Sequence, residues 1–308
     1  MEQNELEYLQ QHPEVCMTFA RGICQKHHIS GEYSRMADGS QPVFATEDRR
    51  MIKIFSPQDR EEAKNEAFFL ERLHRRLPIA TPRLDAFDNW DGYPYIIMEQ
   101  LDGIPLNRVW SSLAYEEKFR IVRQLGEVVR VLHSLPVTLF ADAPFQWDAF
   151  IEHQRAALLE NHQRFGLAPE WLAQLSDYMD AYPLNLHDSK LMAPLHTEFM
   201  LEHLFVKQEG SEWRISGLID FEPSMAGQRE YDFCAVGIFI TQGNSSLFRE
   251  FLLSYGYADA DLTDELRRRI MMWLLLHRYC NLNWFLTLIP ENVRVTKLKE
   301  LERYWFGV

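Results

Sequence analysis

A lysine interrupts the apolar run Met51-Ile52-Lys53-Ile54-Phe55. Side chains on a strand alternate between its faces, so Ile52 and Ile54 take one face and Met51, Lys53 and Phe55 the other. Both faces are apolar except at Lys53. An ammonium buried there demands a counter-charge; the other reading is an edge strand whose lysine reaches back to solvent along its stem. A helix expected from about 59 to 77 supplies a partner. Glu66, Leu70, Leu73 and Leu77 follow the i, i+4, i+7, i+11 spacing of one helical stripe, which puts Glu66 on the core side. Glu61, Glu62 and Glu71 read as solvated surface. A strand lysine paired with a glutamate of the following helix is the arrangement by which kinases position nucleotide phosphates.

Around this pair the periodicities give a coarse architecture. Residues 1 to about 30 read as a helical lead-in. Ala37-Asp38-Gly39-Ser40 is a turn signal, with strands expected over 41–46 and 50–55 and a further strand over 93–99. Strands, a helix and a strand make a small α+β unit of about 100 residues. The remainder reads as mainly helical. Ser111 or Ser112 is expected to cap a helix carrying Phe119, Val122, Leu125, Val129 and Leu132. Further helices are expected at 148–164, 169–181, 245–255, 262–289 and 291–305, with a β-rich island from His203 to Phe221. The boundary between the two parts falls near Asp102-Gly103.

Composition narrows the class. The 308 residues carry 45 acidic and 32 basic side chains, a net charge of −13. That balance argues against nucleic acid as a partner and suits a cationic small molecule. Four cysteines, Cys16, Cys24, Cys234 and Cys280, make no disulfide framework. The apolar stretch 270–289 carries His277, Arg278, Asn281 and Asn283, so it reads as a buried helix and not a membrane span. The acidic, polar N-terminus has no signal-peptide core, and a cytoplasmic location is the expectation.

Two segments concentrate chemistry. His196-Thr197-Glu198-Phe199-Met200-Leu201-Glu202-His203 sets two histidines and two acids between apolar runs, and Gly217-Leu218-Ile219-Asp220-Phe221-Glu222 ends an apolar strand in a carboxylate. An acid emerging from a core strand suits a hard divalent cation, although aspartate also serves well as a turn or cap residue.

Together, the first segment and the run from Gly217 through Gly227 to Tyr231-Asp232-Phe233 resemble the paired signature of the aminoglycoside phosphotransferase family, the choline-kinase-like branch of the protein-kinase-like fold. The resemblance spans roughly 35 to 305. It implies an α+β, two-lobed protein-kinase-like fold. A small β-rich N-terminal lobe with its lead-in would cover 1–102, and a larger, mainly helical lobe 103–308. It further implies ATP (or GTP) and Mg2+ as cofactors. Gly39 and Ser40 would form the turn of the nucleotide-covering hairpin, Lys53 would contact phosphates and pair with Glu66, and the backbone from Glu99 to Leu101 would bind adenine. Asp220 would hold the metal, Asp232 would brace the core, and His196 would be the scaffold histidine of the loop.

The chain departs from the family pattern at three positions. Glu198 stands where the family has its catalytic aspartate, Thr197 where it has glycine, and His203 where it has the metal-binding asparagine. Glu198 keeps a carboxylate with one more methylene, and His203 is a poor magnesium ligand because imidazole suits softer metals. The resemblance implies a phosphotransferase acting on a hydroxyl of a small molecule, such as an aminoglycoside or a related antibiotic, with antibiotic resistance as its setting. The rival class is a pseudokinase that binds nucleotide without transferring phosphate, and a third is transfer of the AMP portion of ATP. Substrate contacts are expected from 137–190 and the C-terminal helices, where Trp147, Asp148, Glu152, Trp171, Asp177, Trp273, Tyr279 and Trp284 lie. About three in four of those aromatics are expected to be core. Oligomeric state is not legible.

Overall fold

Backbone pairing puts Lys53 at the centre of a sheet. The computed structural model describes residues 5–37, 39–181 and 185–308, so Asp38 of the expected turn lies outside the described residues. The chain forms two compact units, the first comprising 1–103, 142–144 and 216–224, the second 104–141, 145–215 and 225–308.

The first unit opens with helices α1 (Glu5–Gln11) and α2 (Pro13–Lys26). Five antiparallel strands follow around a helix: β1 (Tyr33–Arg35), β2 (Val43–Thr46), β3 (Arg50–Ile54), α3 (Arg60–Leu73), β4 (Leu84–Trp90) and β5 (Tyr93–Glu99), in sheet order β1-β2-β3-β5-β4. Lys53 pairs with Val43 on one side and Ile96 on the other. The edge-strand alternative is therefore excluded. Ile52 and Ile54 join Phe44, Tyr95 and Ile97 in a cluster with Leu9, Cys16, Ala20 and Ile23, so the helical lead-in covers the face opposite Lys53. That cover explains why β3 is apolar on both faces.

Helix α3 buries Asn65, Glu66, Phe69, Leu70 and Leu73. It ends at Leu73, short of the expected 77, because His74 leaves helical geometry with ψ 122° and Arg75 adopts φ +60° ahead of Pro78.

The second unit is mainly helical. It begins with β6 (Ile104–Pro105), α4 (Asn107–Trp110) and α5 (Tyr115–Ser134). The expected Ser111 or Ser112 cap does not form, since both precede the true start and the Ser112 hydroxyl donates to the Val109 carbonyl. The Glu117 carboxylate instead accepts the Ala114 N–H at 3.2 Å. Helices α6 (Trp147–Ala156), α7 (Leu158–Arg164) and α8 (Pro169–Ala181) follow, the first two dividing the single helix expected there. Strands β7 (Met192–Leu195), β8 (Leu204–Glu209), β9 (Glu212–Leu218) and β10 (Met225–Gln228) include the expected island, and the last three residues of β9 belong with the first unit. A short helix α9 (Phe233–Ala235) runs into one π-helical turn, Val236–Ile240.

Helices α10 (Ser245–Tyr255), α11 (Asp264–Leu275), α12 (Leu282–Thr287) and α13 (Leu298–Phe306) complete the unit. Close approach of α10 to α5 depends on Gly126, where a Cβ would lie 2.1 Å from the Ser254 hydroxyl and 2.6 Å from the Phe251 carbonyl. The helix expected over 262–289 is broken between α11 and α12. There the Arg278 N–H donates to the Tyr231 hydroxyl at 2.8 Å and the His277 ring is drawn into the core. Among the described residues, no helix is long and apolar enough to cross a membrane.

Candidate active site

In the first unit, Lys53 meets three carboxylates. Its Nζ lies 2.8 Å from Glu66, 2.7 Å from Asp220 and 3.2 Å from Glu222. Both the strand lysine and the helix glutamate are buried. Burial pulls the Lys53 pKa down, but Asp220, Glu66 and Glu222 outweigh it and hold the ammonium well above its ordinary value. Burial pushes Glu66 up to about 7 against the pull of Lys53, helped by repulsion from Asp220 and Glu222. Asp220 is in the left-handed region at φ +71°, tolerable for aspartate and costly for most other side chains. The loop it begins is fastened to α3 by Asn65, whose amide donates at 2.8 Å to the carbonyls of both Glu222 and Ser224.

Carboxylate oxygens of Glu66, Asp220 and Glu222 lie within 4.8 Å of one another. Three acids facing one ammonium, with an all-oxygen donor set, fit a hard divalent cation such as magnesium. Gly39 adopts φ +107°, and the neighbouring Ser40 carbonyl accepts from Gln10 of α1 at 2.9 Å. Glu99 ends β5, its N–H donating to the Arg83 carbonyl and that of Gln100 to the Arg49 carbonyl.

In the second unit, a buried carboxylate organises the 196–203 loop. Asp232 is fully buried and accepts the His196 N–H at 3.1 Å, the Thr197 N–H at 2.6 Å and the His133 Nε2 hydrogen at 2.8 Å. Thr197 has φ +72°, unusual for a β-branched residue. Its carbonyl accepts from His277 Nε2 at 3.0 Å, so both ends of the strained residue are held. Burial lowers His277 to about 4, leaving it neutral, while its Nδ1 accepts the Tyr279 N–H at 3.3 Å.

The Glu198 N–H donates to His196 Nδ1 at 3.3 Å, and the Glu198 carbonyl accepts from His203 Nδ1 at 2.8 Å. These bonds hold the backbone of Glu198 between two imidazoles and make Nδ1 a donor nitrogen of His203. Glu198 also lines a pocket with Met200, Ile238, Phe239, Leu274, Trp284 and Phe285 among its walls.

Thus Lys53, Glu66 and Asp220 come together in one unit, and Glu198 and His203 in the other. Trp147, Trp171 and Trp273 are core, whereas Tyr279 and Trp284 are exposed. Sequence reasoning missed Asn65, His133 and His277 and gave Glu222 no role. Asn65 and His133 are polar residues on otherwise apolar helical stripes, the same signal that exposed Glu66.

Among curated protein sequences, none matches significantly. Solved structures do match. The GDP complex of aminoglycoside 2'-phosphotransferase-IIIa has a TM-score of 0.68 at 16% identity, covering 93% of this chain and 97% of that one. A GDP and kanamycin complex of APH(2'')-IIIa scores 0.65 at 17% identity, covering 83% and 90%. Macrolide 2'-phosphotransferase MphH from Brachybacterium faecium scores 0.58 at 17% identity, covering 89% and 98%. At such identities the likeness establishes the protein-kinase-like fold. Residues 33–278 match the phosphotransferase enzyme family over most of the chain, and the protein belongs to that family of small-molecule kinases.

Proposed function

We propose that the protein transfers the γ-phosphoryl group of ATP, or of GTP in its place, to a hydroxyl of a small molecule. The observation that carries this reading is the buried Lys53 surrounded by Glu66, Asp220 and Glu222. An ion cluster with surplus acid in a core is costly for stability alone, and it makes sense as a site whose cation and phosphates come from a ligand. Several of the similar structures carry GDP, ATP or ADP, which supports a nucleotide here.

Glu66 would orient the Lys53 ammonium toward phosphate oxygens. Asp220, with Glu222 in reach, would hold Mg2+, which supplies neutralisation of charge developing on the phosphoryl group. Gly39 and Ser40 would cover the nucleotide, and the Glu99–Leu101 backbone would read its base. Glu198 would orient the acceptor hydroxyl and take its proton as the new oxygen–phosphorus bond forms and the bond from phosphorus to the ADP oxygen breaks. Hydrogen bonds to Asp232 and His277 would keep the Glu198 loop in place.

The acceptor is read by offering the enzyme ATP, magnesium and a panel of hydroxylated amines, sugars and alcohols, and following the mass gained on phosphorylation. Transfer by the wild type, reduced about 100-fold or more in Glu198→Gln, is expected. A fully active Glu198→Gln would remove Glu198 from its role. Magnesium-dependent ATP binding with no acceptor phosphorylated would favour a non-transferring nucleotide binder.

A further inference from the structure

Glu198 opens onto a pocket whose chemistry narrows the acceptor. The walls come from three segments that sequence periodicity does not join. The π-helical turn supplies Ile238 and Phe239, and α11 and α12 supply Leu274, Trp284 and Phe285. A π turn inside a helix is a costly irregularity that recurs at functional sites, and this one carries two of the apolar walls. All these residues belong to the second unit.

Charge is scarce in this lining. Glu198 brings the one carboxylate among the described residues that form it, and no lysine or arginine joins it. His277 donates Nε2–H to the Thr197 carbonyl and accepts the Tyr279 N–H at Nδ1, a neutral tautomer with both nitrogens occupied. A polycation placed here would surrender the hydration of several ammonium groups and meet one counter-charge. An apolar ring or branched alkyl group would be desolvated at no such cost. The cavity is about 80 Å³, room for on the order of half a dozen waters and thus for a fragment of the acceptor beside Glu198. At its outer side Trp284 remains 45% exposed and Phe239 half-buried, apolar surface that an acceptor would cover.

We infer that the acceptor is an alcohol whose hydroxyl is flanked by an apolar ring or branched alkyl group and which carries at most one positive charge. This rests on the phosphotransferase reading and departs from the polycationic acceptor that the net charge of the chain suggests. The apolar group occupies the space between Phe239, Leu274, Trp284 and Phe285, and its hydroxyl meets Glu198.

Binding and transfer are measured separately, on the full chain with ATP and magnesium, using 2-phenylethanol, cyclohexylmethanol and kanamycin as probes. The two apolar alcohols are expected to bind saturably, at least about tenfold more tightly than kanamycin. Trp284→Ala weakens them about tenfold, and Trp284→Phe restores most of the affinity, as removal and return of one aromatic wall requires. Retention of the melting-temperature rise with ATP in both variants shows that they are folded. Kanamycin binding more tightly than either alcohol would overturn the inference, as would failure of both alcohols to bind or indifference to Trp284→Ala. Saturable, Trp284-dependent binding of the alcohols without phosphorylation of any probe upholds the pocket's preference and counts instead against the transfer assignment.

Discussion

Each unit forces a non-glycine residue of its candidate site into the left-handed region, and the two secure it by different means. In the first, Asp220 at φ +71° sits among ions, where three carboxylates face Lys53. In the second, Thr197 at φ +72° is clamped by hydrogen bonds, with Asp232 accepting its N–H and His277 donating to its carbonyl. The ionic cluster sets three carboxylates around one lysine, an oxygen donor set suited to a further cation. The hydrogen-bonded clamp satisfies itself. One arrangement is suited to bind, and the other to hold a loop still.

The largest expected effect follows from removing the clamp. Asp232→Ala leaves the N–H groups of His196 and Thr197 and the His133 ring hydrogen without their acceptor in a dry core. A loss of about 4 kcal/mol is expected, read by denaturant unfolding. A loss below about 1 kcal/mol would show that the clamp is not what holds the loop. In the ionic cluster the corresponding change, Lys53→Met, should act mainly on chemistry, lowering transfer about 100-fold or more in steady-state assays. Asp220 and Glu222 are partly exposed, so stability should fall less than in Asp232→Ala.

The units also differ in their response to pH. His277, at about 4 in the folded chain against 6.5 when unfolded, contributes stability that is complete above 6.5 and lost as pH falls toward 4. Glu66 runs the other way: raised from 4.5 to about 7, it contributes stability present below 4.5 and lost as pH rises toward 7. Unfolding of His277→Gln across pH 4 to 7 should lack the acid-side loss, which has an upper size of about 3 kcal/mol. An unchanged profile would mean that His277 is not the titrating group. The smallest effect expected is from Thr197→Gly. Relief of backbone strain offsets lost packing and added chain entropy, for a net change under about 1 kcal/mol.

The contrast also explains what was legible in the sequence. The ionic cluster announced itself because Lys53 and Glu66 break apolar patterns of period 2 and 3.6, and because Asp220 ends an apolar strand. The strand over 93–99 and the helices 169–181 and 245–255 were legible for the same reason, as clean runs between turn signals. The clamp was not. Its members, His133, Thr197, Asp232 and His277, lie up to 144 residues apart, and single polar residues on helical stripes do not name their partners. The break at His277 and the π turn at Val236–Ile240 were hidden too. Both arise where tertiary hydrogen bonds and packing override local periodicity. The family resemblance drew attention to Glu198, but the apolar walls beside it could be assembled only from three separated segments.

The most direct measurement is a calorimetric titration of ATP, with and without magnesium, into the wild type and Asp220→Asn. If Lys53, Asp220 and Glu222 form the nucleotide and metal site, magnesium will tighten ATP binding in the wild type, and Asp220→Asn will remove most of that gain. ATP binding that is indifferent to magnesium, or equally magnesium-dependent in Asp220→Asn, would contradict the assignment.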